Sequence, residues 1–144
     1  MQTILILNGP NLNLLGTREP EIYGKETLPT VIANLQRRFL DLTLKHYQSN
    51  HEGALIDKLQ ETDGFDSVVI NPGALAHTSY ALADCIRALP KPVVEVHISN
   101  VFGRAETWRH QSVISPVVAG VISGFGVAGY VLAIDYLLHH YNKA

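Results

Sequence analysis

The sequence contains a single cysteine, Cys85, so no disulfide can form within the chain. Neither sign of charge predominates, because 11 basic and 13 acidic side chains give a net charge of −2 with histidines neutral. The chain has no basic run, which argues against nucleic acid and anionic membrane as partners. Its first residues lack the basic start and small-residue cleavage site of a secretory signal. Together with the lone cysteine, this predicts a cytoplasmic protein.

Charged residues are missing from Gln111 to Ile134, a stretch long enough to raise the question of a transmembrane helix. However, the stretch is interrupted by one proline and four glycines, at positions 116, 120, 124, 126 and 129. Because proline and glycine break regular helices, we interpret it as a strand, a glycine turn and the start of a helix. We therefore expect a buried element and no membrane span.

Several motifs of catalysis and cofactor binding are also absent. The sequence has no GxSxG nucleophile elbow, no P-loop, and neither HxxxH nor CxxC spacing for a metal. One GxGxxG match, from Gly124 to Gly129, follows a predicted strand and opens a predicted helix. Only 15 of the 144 residues follow it, without a second strand or a ribose-binding acid. We interpret it as close helix–sheet packing and expect no cofactor and no metal.

The N-terminal stretch from Ile4 to Tyr23 dominates the remaining signal. It begins with the apolar strand ILILN and enters a polar turn, Asn8–Asn11. No periodic pattern resumes until about Thr27, and a loop of that length is usually functional or disordered. The loop also contains apolar side chains, which argue against disorder, and they are Leu12, Leu14, Leu15, Ile22 and Tyr23. Because open α/β sheets bind ligands beyond the carboxyl ends of their strands, we interpret residues 12–26 as a lid over a pocket.

The rest of the chain alternates between helix and strand patterns. Helices are predicted after three capping positions, which are Thr27, Ser49–Asn50, and Thr78 or Ser79, and a last helix is predicted from Phe125 to Tyr141. Strands are predicted at Ile4–Asn8, Leu42–Gln48, Ser67–Asn71, Val93–Ile98 and Val117–Ser123, and Ser99–Gln111 holds at most one short helix. This alternation predicts a flavodoxin-like α/β fold, with a doubly wound five-stranded parallel sheet and helices on both faces. Residues 1–144 are expected to form a single domain.

Polar residues collect at the predicted carboxyl ends of the strands. The set that should share one rim comprises Asn11, Asn71, His77, His97 and Ser99. Each has an ordinary alternative, because asparagines cap turns and a histidine before a helix can cap it. Their convergence on one rim is what favours a binding site.

Two pairs of residues could carry acid–base chemistry. Glu95 and His97 lie two apart on a strand, so they face the same side. They could be metal ligands, although a third ligand is lacking, or a carboxylate could fix the tautomer of a histidine acid, which we prefer. Arg18 and Tyr23 share the predicted lid. Tyrosine normally ionises near pH 10, and a nearby guanidinium favours the phenolate, which can act as a base. The alternative is that Arg18 and Tyr23 are solvent-exposed side chains of a loop and have no catalytic role.

These residues closely resemble the signature of type II 3-dehydroquinate dehydratases. The resemblance is carried by NGPNLNLLG from Asn8, REP from Arg18, Tyr23-Gly24, Asn71-Pro-Gly, His77-Thr-Ser, Asp84, EVHISN from Glu95 and Ser115-Pro116. It covers nearly the whole chain in order. It implies dehydration of 3-dehydroquinate to 3-dehydroshikimate by anti elimination through an enolate, without Schiff base or metal. Since this chemistry is identical in aromatic biosynthesis and quinate breakdown, it implies the reaction and not the pathway.

The resemblance also implies roles for individual residues. Tyr23 would be the base, Arg18 would keep it ionised, and Asn11 would hold a water at the enolate oxygen. His97 would protonate the departing hydroxyl, with Glu95 orienting it. The implied substrate-binding residues are Asn71, His77, the Ile98–Ser99 backbone and Arg109. Asp84 would reach in from an adjacent subunit of a homo-oligomer, a dodecamer built from trimers.

The sequence departs from the family pattern at two places. Between Arg104 and His110 it carries one extra residue, so either Arg104 or Arg109 could meet the substrate, and we favour Arg109. Ala83 stands where an arginine is expected before Asp84, which would alter a subunit contact.

Two other functions are compatible with parts of the sequence. A flavodoxin-like module could bind a mononucleotide or phosphate at the Asn8–Asn13 turn, but this turn has one glycine and few of the usual backbone donors. A purely structural oligomer subunit would leave the polar rim unexplained.

Overall fold

The computed structural model describes residues 1–141 as a five-stranded parallel sheet with the strand order β2-β1-β3-β4-β5. The strands are β1 (Thr3–Asn8), β2 (Thr43–Gln48), β3 (Ser67–Asn71), β4 (Val93–His97) and β5 (Gly120–Ser123). This is the strand order of flavodoxin-like folds, so the predicted fold class is confirmed. The order reverses at β1, whose two neighbours are β2 and β3.

Helices cover both faces of the sheet. They are α1 (Pro20–Tyr23), α2 (Leu28–Arg38), α3 (Glu52–Leu59), α4 (Tyr80–Ala88) and α5 (Ala128–His139). Because successive strand residues point to opposite faces, Ile4 and Ile6 pack against α2 and α5, whereas Leu5 and Leu7 pack against α3 and α4. The central strands are therefore apolar on both sides, which is why they read as continuous hydrophobic runs.

The predicted helix starts are partly right. Thr27 caps α2 by accepting from the Thr30 N–H, and Ser79, rather than Thr78, caps α4 by accepting from the Leu82 N–H. The N-cap of α3 is His51, because the Ser49 hydroxyl accepts from the His51 N–H and delays the helix. The prediction of Ser49–Asn50 as the cap was wrong by one or two residues.

The C-terminal third differs more from the prediction. Strand β5 begins at Gly120, not Val117, because Ser115–Val117 forms a 3₁₀ turn around Pro116. Helix α5 begins at Ala128, not Phe125, because Gly124 and Gly126 have positive φ angles that a helix does not allow. Between Ser99 and Gln111 there are two 3₁₀ segments, Val101–Gly103 and Thr107–His110, where at most one was expected.

The GxGxxG match has the predicted packing role. A Cβ atom at Gly129 would lie 3.1 Å from Val96 Cγ1 and 3.5 Å from Ile122 Cγ2, so its absence lets α5 lie close to the sheet. Among residues 1–141, no helix is both long and apolar enough to cross a membrane.

Residues 12–26 are ordered and folded onto the rest of the structure. They contain a 3₁₀ turn, Leu12–Leu14, and the single-turn helix α1. Leu12 and Leu15 are buried in the core beside α2, which fixes the start of this segment. Tyr23 at its far end packs partly buried against the same core. The segment is therefore anchored at both ends by apolar contacts.

Candidate active site

A polar cavity opens at the carboxyl ends of the strands, where the strand order reverses. Strands β1 and β3 end in the paired residues Asn8 and Asn71, which stand side by side in register. The turn after β1, at Gly9, lies in close contact with the loop after β3, at Pro72. A Cβ atom at Gly9 would lie 2.5 Å from the Pro72 carbonyl oxygen, so only glycine fits there. Such a crevice is the usual ligand site of this fold.

Most residues predicted for the site line this cavity. Nine of the eleven do so, and they are Asn11, Arg18, Tyr23, Asn71, His77, His97, Ile98, Ser99 and Arg109. The empty space between these residues is about 500 Å³ when the part open to solvent is included. Its walls are amides, imidazoles, a phenol and guanidiniums, which suit a small polar anion.

Glu95 lies behind His97 and holds its ring. The carboxylate is fully buried, and its Oε2 is hydrogen-bonded to His97 Nε2. Because a carboxylate only accepts, Nε2 donates and the other ring nitrogen, Nδ1, is the one available for proton transfer. Ser115 Oγ donates to Glu95 Oε1 over 2.7 Å, and Ser112 Oγ donates to Oε2 over 3.3 Å. This is the arrangement of a carboxylate that orients a histidine.

His77 stands beside His97 on the cavity wall. The two ring centroids are 6.2 Å apart, and the Trp108 ring meets His77 edge-on at 5.3 Å. His77 Nδ1 lies 2.5 Å from the Gln111 carbonyl oxygen and donates to it, so Nε2 is left for a ligand. Burial is the main cause that lowers the pKa of His77, aided by the charges of His97 and Arg109. The alternative role of His77 as a helix cap is wrong, because Ser79 caps α4.

Tyr23 lies between two guanidiniums. The Arg18 Cζ atom is 4.7 Å from the centroid of the tyrosine ring, as the shared lid suggested. Arg104 makes the closer polar contact, because its Nη1 donates to Tyr23 Oη over 2.9 Å and to Ser99 Oγ over 3.1 Å. Sequence reasoning considered Arg104 only as a substrate ligand. Two guanidiniums therefore flank the Tyr23 side chain.

Arg109 presents a guanidinium to the same cavity. Its Cζ atom lies 4.2 Å from the Trp108 ring centroid, and its Nε is 3.5 Å from Glu106 Oε1. A backbone hydrogen bond and the Arg109 and Arg104 charges hold the pKa of Glu106 below its usual range. The guanidinium also lines the cavity, where a positive charge suits an anionic ligand.

Asp84 is a predicted site residue that lies away from the cavity, and Asn11 belongs to the turn that was also considered for phosphate binding. Asp84 lies on the outer face of α4, 76% of its side chain is exposed, and it is paired with Arg87 at 3.2 Å. Asn11 has a left-handed backbone (φ 71°), and its N–H donates to Asn50 Oδ1 over 2.9 Å. The Gly9 N–H donates to the Asn71 carbonyl oxygen. These backbone donors of the Asn8–Asn13 turn are therefore used within the protein, which disfavours a phosphate cradle there.

Sequence reasoning gave no role to the two serines on Glu95. In the sequence, Ser115 stands out only as part of a Ser-Pro signature, and Ser112 belongs to no motif. Both follow a loop whose path the sequence does not predict. Across the part of the chain that the structure describes, no three His, Cys, Asp or Glu side chains are grouped to hold a metal ion.

The flavodoxin-like fold gathers a histidine–carboxylate pair, a tyrosine and three arginines around one polar cavity. Such a fold and site are typical of an α/β enzyme that acts on a small polar molecule. The dehydroquinase class II family model matches residues 2–138. The chain belongs to this family, as its signature suggested.

Individual relatives agree over nearly their full length. The chain is 50% identical to the 3-dehydroquinate dehydratase of Bacillus subtilis over 141 residues, which cover 96% of this chain and 95% of the relative. It is 53% identical to the catabolic 3-dehydroquinase of Phaeosphaeria nodorum, with 96% and 93% covered. The crystal structure of the type II dehydroquinase from Butyrivibrio crossotus superposes with a TM-score of 0.92 at 47% identity, with 95% and 97% covered.

Proposed function

We propose that this enzyme dehydrates 3-dehydroquinate to 3-dehydroshikimate. The observation that carries the proposal is that Tyr23, with its two arginines, and the Glu95–His97 pair line or support one cavity. A β-hydroxy ketone needs a base beside its ketone and an acid at its hydroxyl. A phenolate and an imidazolium supply both. The names of relatives that are about half identical support the same reaction.

The first step is removal of a proton from the carbon beside the ketone. Tyr23 Oη takes this proton as a phenolate, the electron pair of the C–H bond moves toward the carbonyl, and an enolate forms. Arg104 donates to the phenolate oxygen and Arg18 lies against its ring, so both stabilise the base before reaction. Asn11 lies at the cavity wall and would hold a water that donates to the enolate oxygen.

The second step is loss of the hydroxyl group. The enolate electrons form the new C=C bond as the C–O bond breaks, and His97 gives its proton to the departing oxygen, which leaves as water. Glu95 holds the ring and balances the charge of the imidazolium before transfer. Base and acid act from opposite sides of the substrate, which makes the elimination anti. Tyr23 and His97 together carry the two proton transfers that accompany C–H and C–O cleavage, so we propose that neither metal nor cofactor takes part.

The other groups of the cavity would bind the substrate. Arg109, whose guanidinium lines the cavity, suits the substrate carboxylate. Asn71, His77 and the backbone at Ile98–Ser99 suit its hydroxyls and remaining oxygens. With Arg104 engaged by Tyr23 and Ser99, Arg109 stays the better candidate for the substrate anion. Residues 12–26 would act as the lid that excludes water once the substrate is bound.

The assembly and location are part of the same proposal. We propose one catalytic domain over residues 1–144, working in the cytoplasm as a dodecamer built from trimers. Asp84, exposed on α4, would enter the site of an adjacent subunit. Large apolar side chains are exposed near the edge strand β5 and along α5, which supports burial against other copies. They are Phe102, Val121, Phe125 and Leu132.

One experiment tests the reaction directly. The purified protein is mixed with 3-dehydroquinate, and the ultraviolet absorbance of the conjugated enone is followed. Absorbance that rises in proportion to enzyme supports the proposal. A flat trace with folded protein would reject it, and a flavin spectrum or bound nucleotide in the same preparation would favour the binding-module alternative.

A further inference from the structure

Tyr130 of α5 is fully buried, yet its hydroxyl joins the two asparagines that end the central strands. Tyr130 Oη donates to Asn8 Oδ1 over 2.5 Å and accepts from Asn71 Nδ2 over 3.0 Å. Asn71 lines the cavity, whereas Tyr130 does not. The hydroxyl therefore lies one hydrogen bond behind a wall of the active site.

The hydrogen bonds continue beyond both asparagines. On one side, the Gly73 N–H donates to Asn71 Oδ1 over 3.2 Å. On the other side, Asn8 Nδ2 lies 3.1 Å from His46 Nε2. His46, Asn8, Tyr130, Asn71 and the Gly73 N–H therefore form one chain of hydrogen bonds. It runs from the edge strand β2 to the loop after β3.

Only one orientation of the amides satisfies this chain. The Gly73 N–H can only donate, so Asn71 must turn its oxygen toward it and its nitrogen toward Tyr130. The Tyr130 hydroxyl then accepts from Asn71, and its own hydrogen goes to the oxygen of Asn8. Asn8 in turn offers its nitrogen to His46, whose Nε2 must be unprotonated. Each donor and each acceptor is used once in the same direction.

The protonation states of the two titratable members agree with this direction. Burial raises the pKa of Tyr130, so its hydroxyl keeps the hydrogen that it donates. Burial lowers the pKa of His46, which favours the neutral ring that accepts from Asn8. The chain therefore keeps its direction around neutral pH.

We infer that Tyr130 is a positioning residue for Asn71, and that together with the Gly73 N–H it fixes which end of this amide faces which part of the substrate. After the bonds to Tyr130 and Gly73, Asn71 keeps one N–H and one oxygen lone pair for the cavity. A substrate hydroxyl can use both, as it accepts from the first and donates to the second. The inference rests on the proposed substrate-binding role of Asn71.

The Tyr130→Phe variant tests the inference, because it removes one oxygen and keeps the ring. Asn71 then lacks a partner at its nitrogen, and substrate binding should weaken in ground state and transition state alike. We expect KM for 3-dehydroquinate to rise by about tenfold, with kcat changed less than about threefold. Tyr136→Phe, on the same helix and partly exposed, is the matched control and should leave both constants unchanged.

Two further variants distinguish the positioning of Asn71 from a purely structural role of Tyr130. Leu137→Ala removes buried packing from α5 but none of the five hydrogen-bonded groups. It should lower the melting temperature with little change in KM. In an Asn71→Ala background, Tyr130→Phe should add no further increase in KM, because its target is gone. An unchanged KM in the single variant, or the same increase with and without Asn71, would overturn the inference.

Two measurements keep the test decisive. If Tyr130→Phe does not fold, Asn8→Ala removes the acceptor of the Tyr130 hydroxyl while keeping the ring, and it should raise KM through the same path. A crystal structure of Tyr130→Phe without substrate should show the Asn71 amide rotated or spread over several positions. That result is independent of activity, so it stands even if the wild-type enzyme proves inactive on 3-dehydroquinate. An Asn71 amide unmoved in the variant would contradict the inference.

Discussion

Arg104 Nη1 donates a 2.9 Å hydrogen bond to Tyr23 Oη, although the two residues are 81 positions apart in the chain. Tyr23 belongs to the 12–26 segment, and Arg104 follows the strand that carries Glu95 and His97. The contact therefore joins the proposed base to the loop beside the proposed acid. It also closes the segment over the cavity.

Replacing Arg104 should slow the reaction more than it weakens binding. In Arg104→Leu the phenolate loses a charge-assisted hydrogen bond of about 1.5–3 kcal/mol, so kcat/KM should fall about 10- to 150-fold. Steady-state kinetics measure this, with Arg38→Leu, a change of an exposed arginine on α2, as the control. Arg104→Lys should recover part of the loss. Equal kinetics in Arg104→Leu and the control would show that Arg104 has no role in stabilising the base.

Replacing the buried carboxylate should impair the acid. In Glu95→Gln the side chain keeps its shape but can no longer offer two acceptor oxygens to His97 and the serines. We expect kcat to fall about 10- to 100-fold, the range of an acid–base contribution partly lost. Circular dichroism should show an unchanged fold. Full activity of this variant would mean that His97 does not depend on Glu95.

Stability should fall as the pH drops below about 6.5, the usual histidine pKa. Burial lowers the pKa of His46 and of His77 in the folded protein. Between the folded and the unfolded pKa, the unfolded chain binds more protons, so acidification favours unfolding. Urea unfolding at pH 5, 6, 7 and 8 measures the free energy of unfolding at each pH.

The matched variants for the pH series are His46→Gln and His139→Gln. Glutamine at position 46 still offers an acceptor to Asn8 but does not titrate, so the fall in stability should become shallower. His139 is exposed near the end of α5, and its replacement should leave the slope unchanged. A free energy of unfolding that stays constant or increases from pH 7 to pH 5 would contradict the assignment.

Chelation should leave the enzyme active. Each proposed step moves a proton between Tyr23 or His97 and the substrate, so EDTA should not change the initial rate. The same assay after dialysis against the chelator and after addition of Mg²⁺, Mn²⁺ or Zn²⁺ provides the comparison. Loss of activity that a divalent cation restores would show that a metal takes part.

The sequence predicts those features that depend on local patterns. The apolar run Ile4–Leu7, the capping residues Thr27 and Ser79, and the alternation that pairs Glu95 with His97 all follow from neighbouring residues. These features define strands and helices, and they mark the strand ends at which the cavity lies. They are therefore accessible before any coordinates are known.

The remaining features depend on where loops meet. The sequence places Arg18 near Tyr23 because they share one segment, but the contact from Arg104 requires the path of a second loop. The serines on Glu95 arrive by the same kind of long-range approach. Likewise, the bond between Tyr130 and the two strand-end asparagines appears only once α5 packs on the sheet. No local periodicity contains this information.

The central claim is that Tyr23 removes a proton and His97 then releases the hydroxyl from one substrate in one cavity. Proton NMR in D₂O, with 3-dehydroquinate and each variant, separates the two steps. His97→Ala should exchange the proton beside the ketone for deuterium while forming little enone, and Tyr23→Phe should do neither. Enone formation at the wild-type rate by Tyr23→Phe, or rapid deuterium exchange in that variant, would contradict the account.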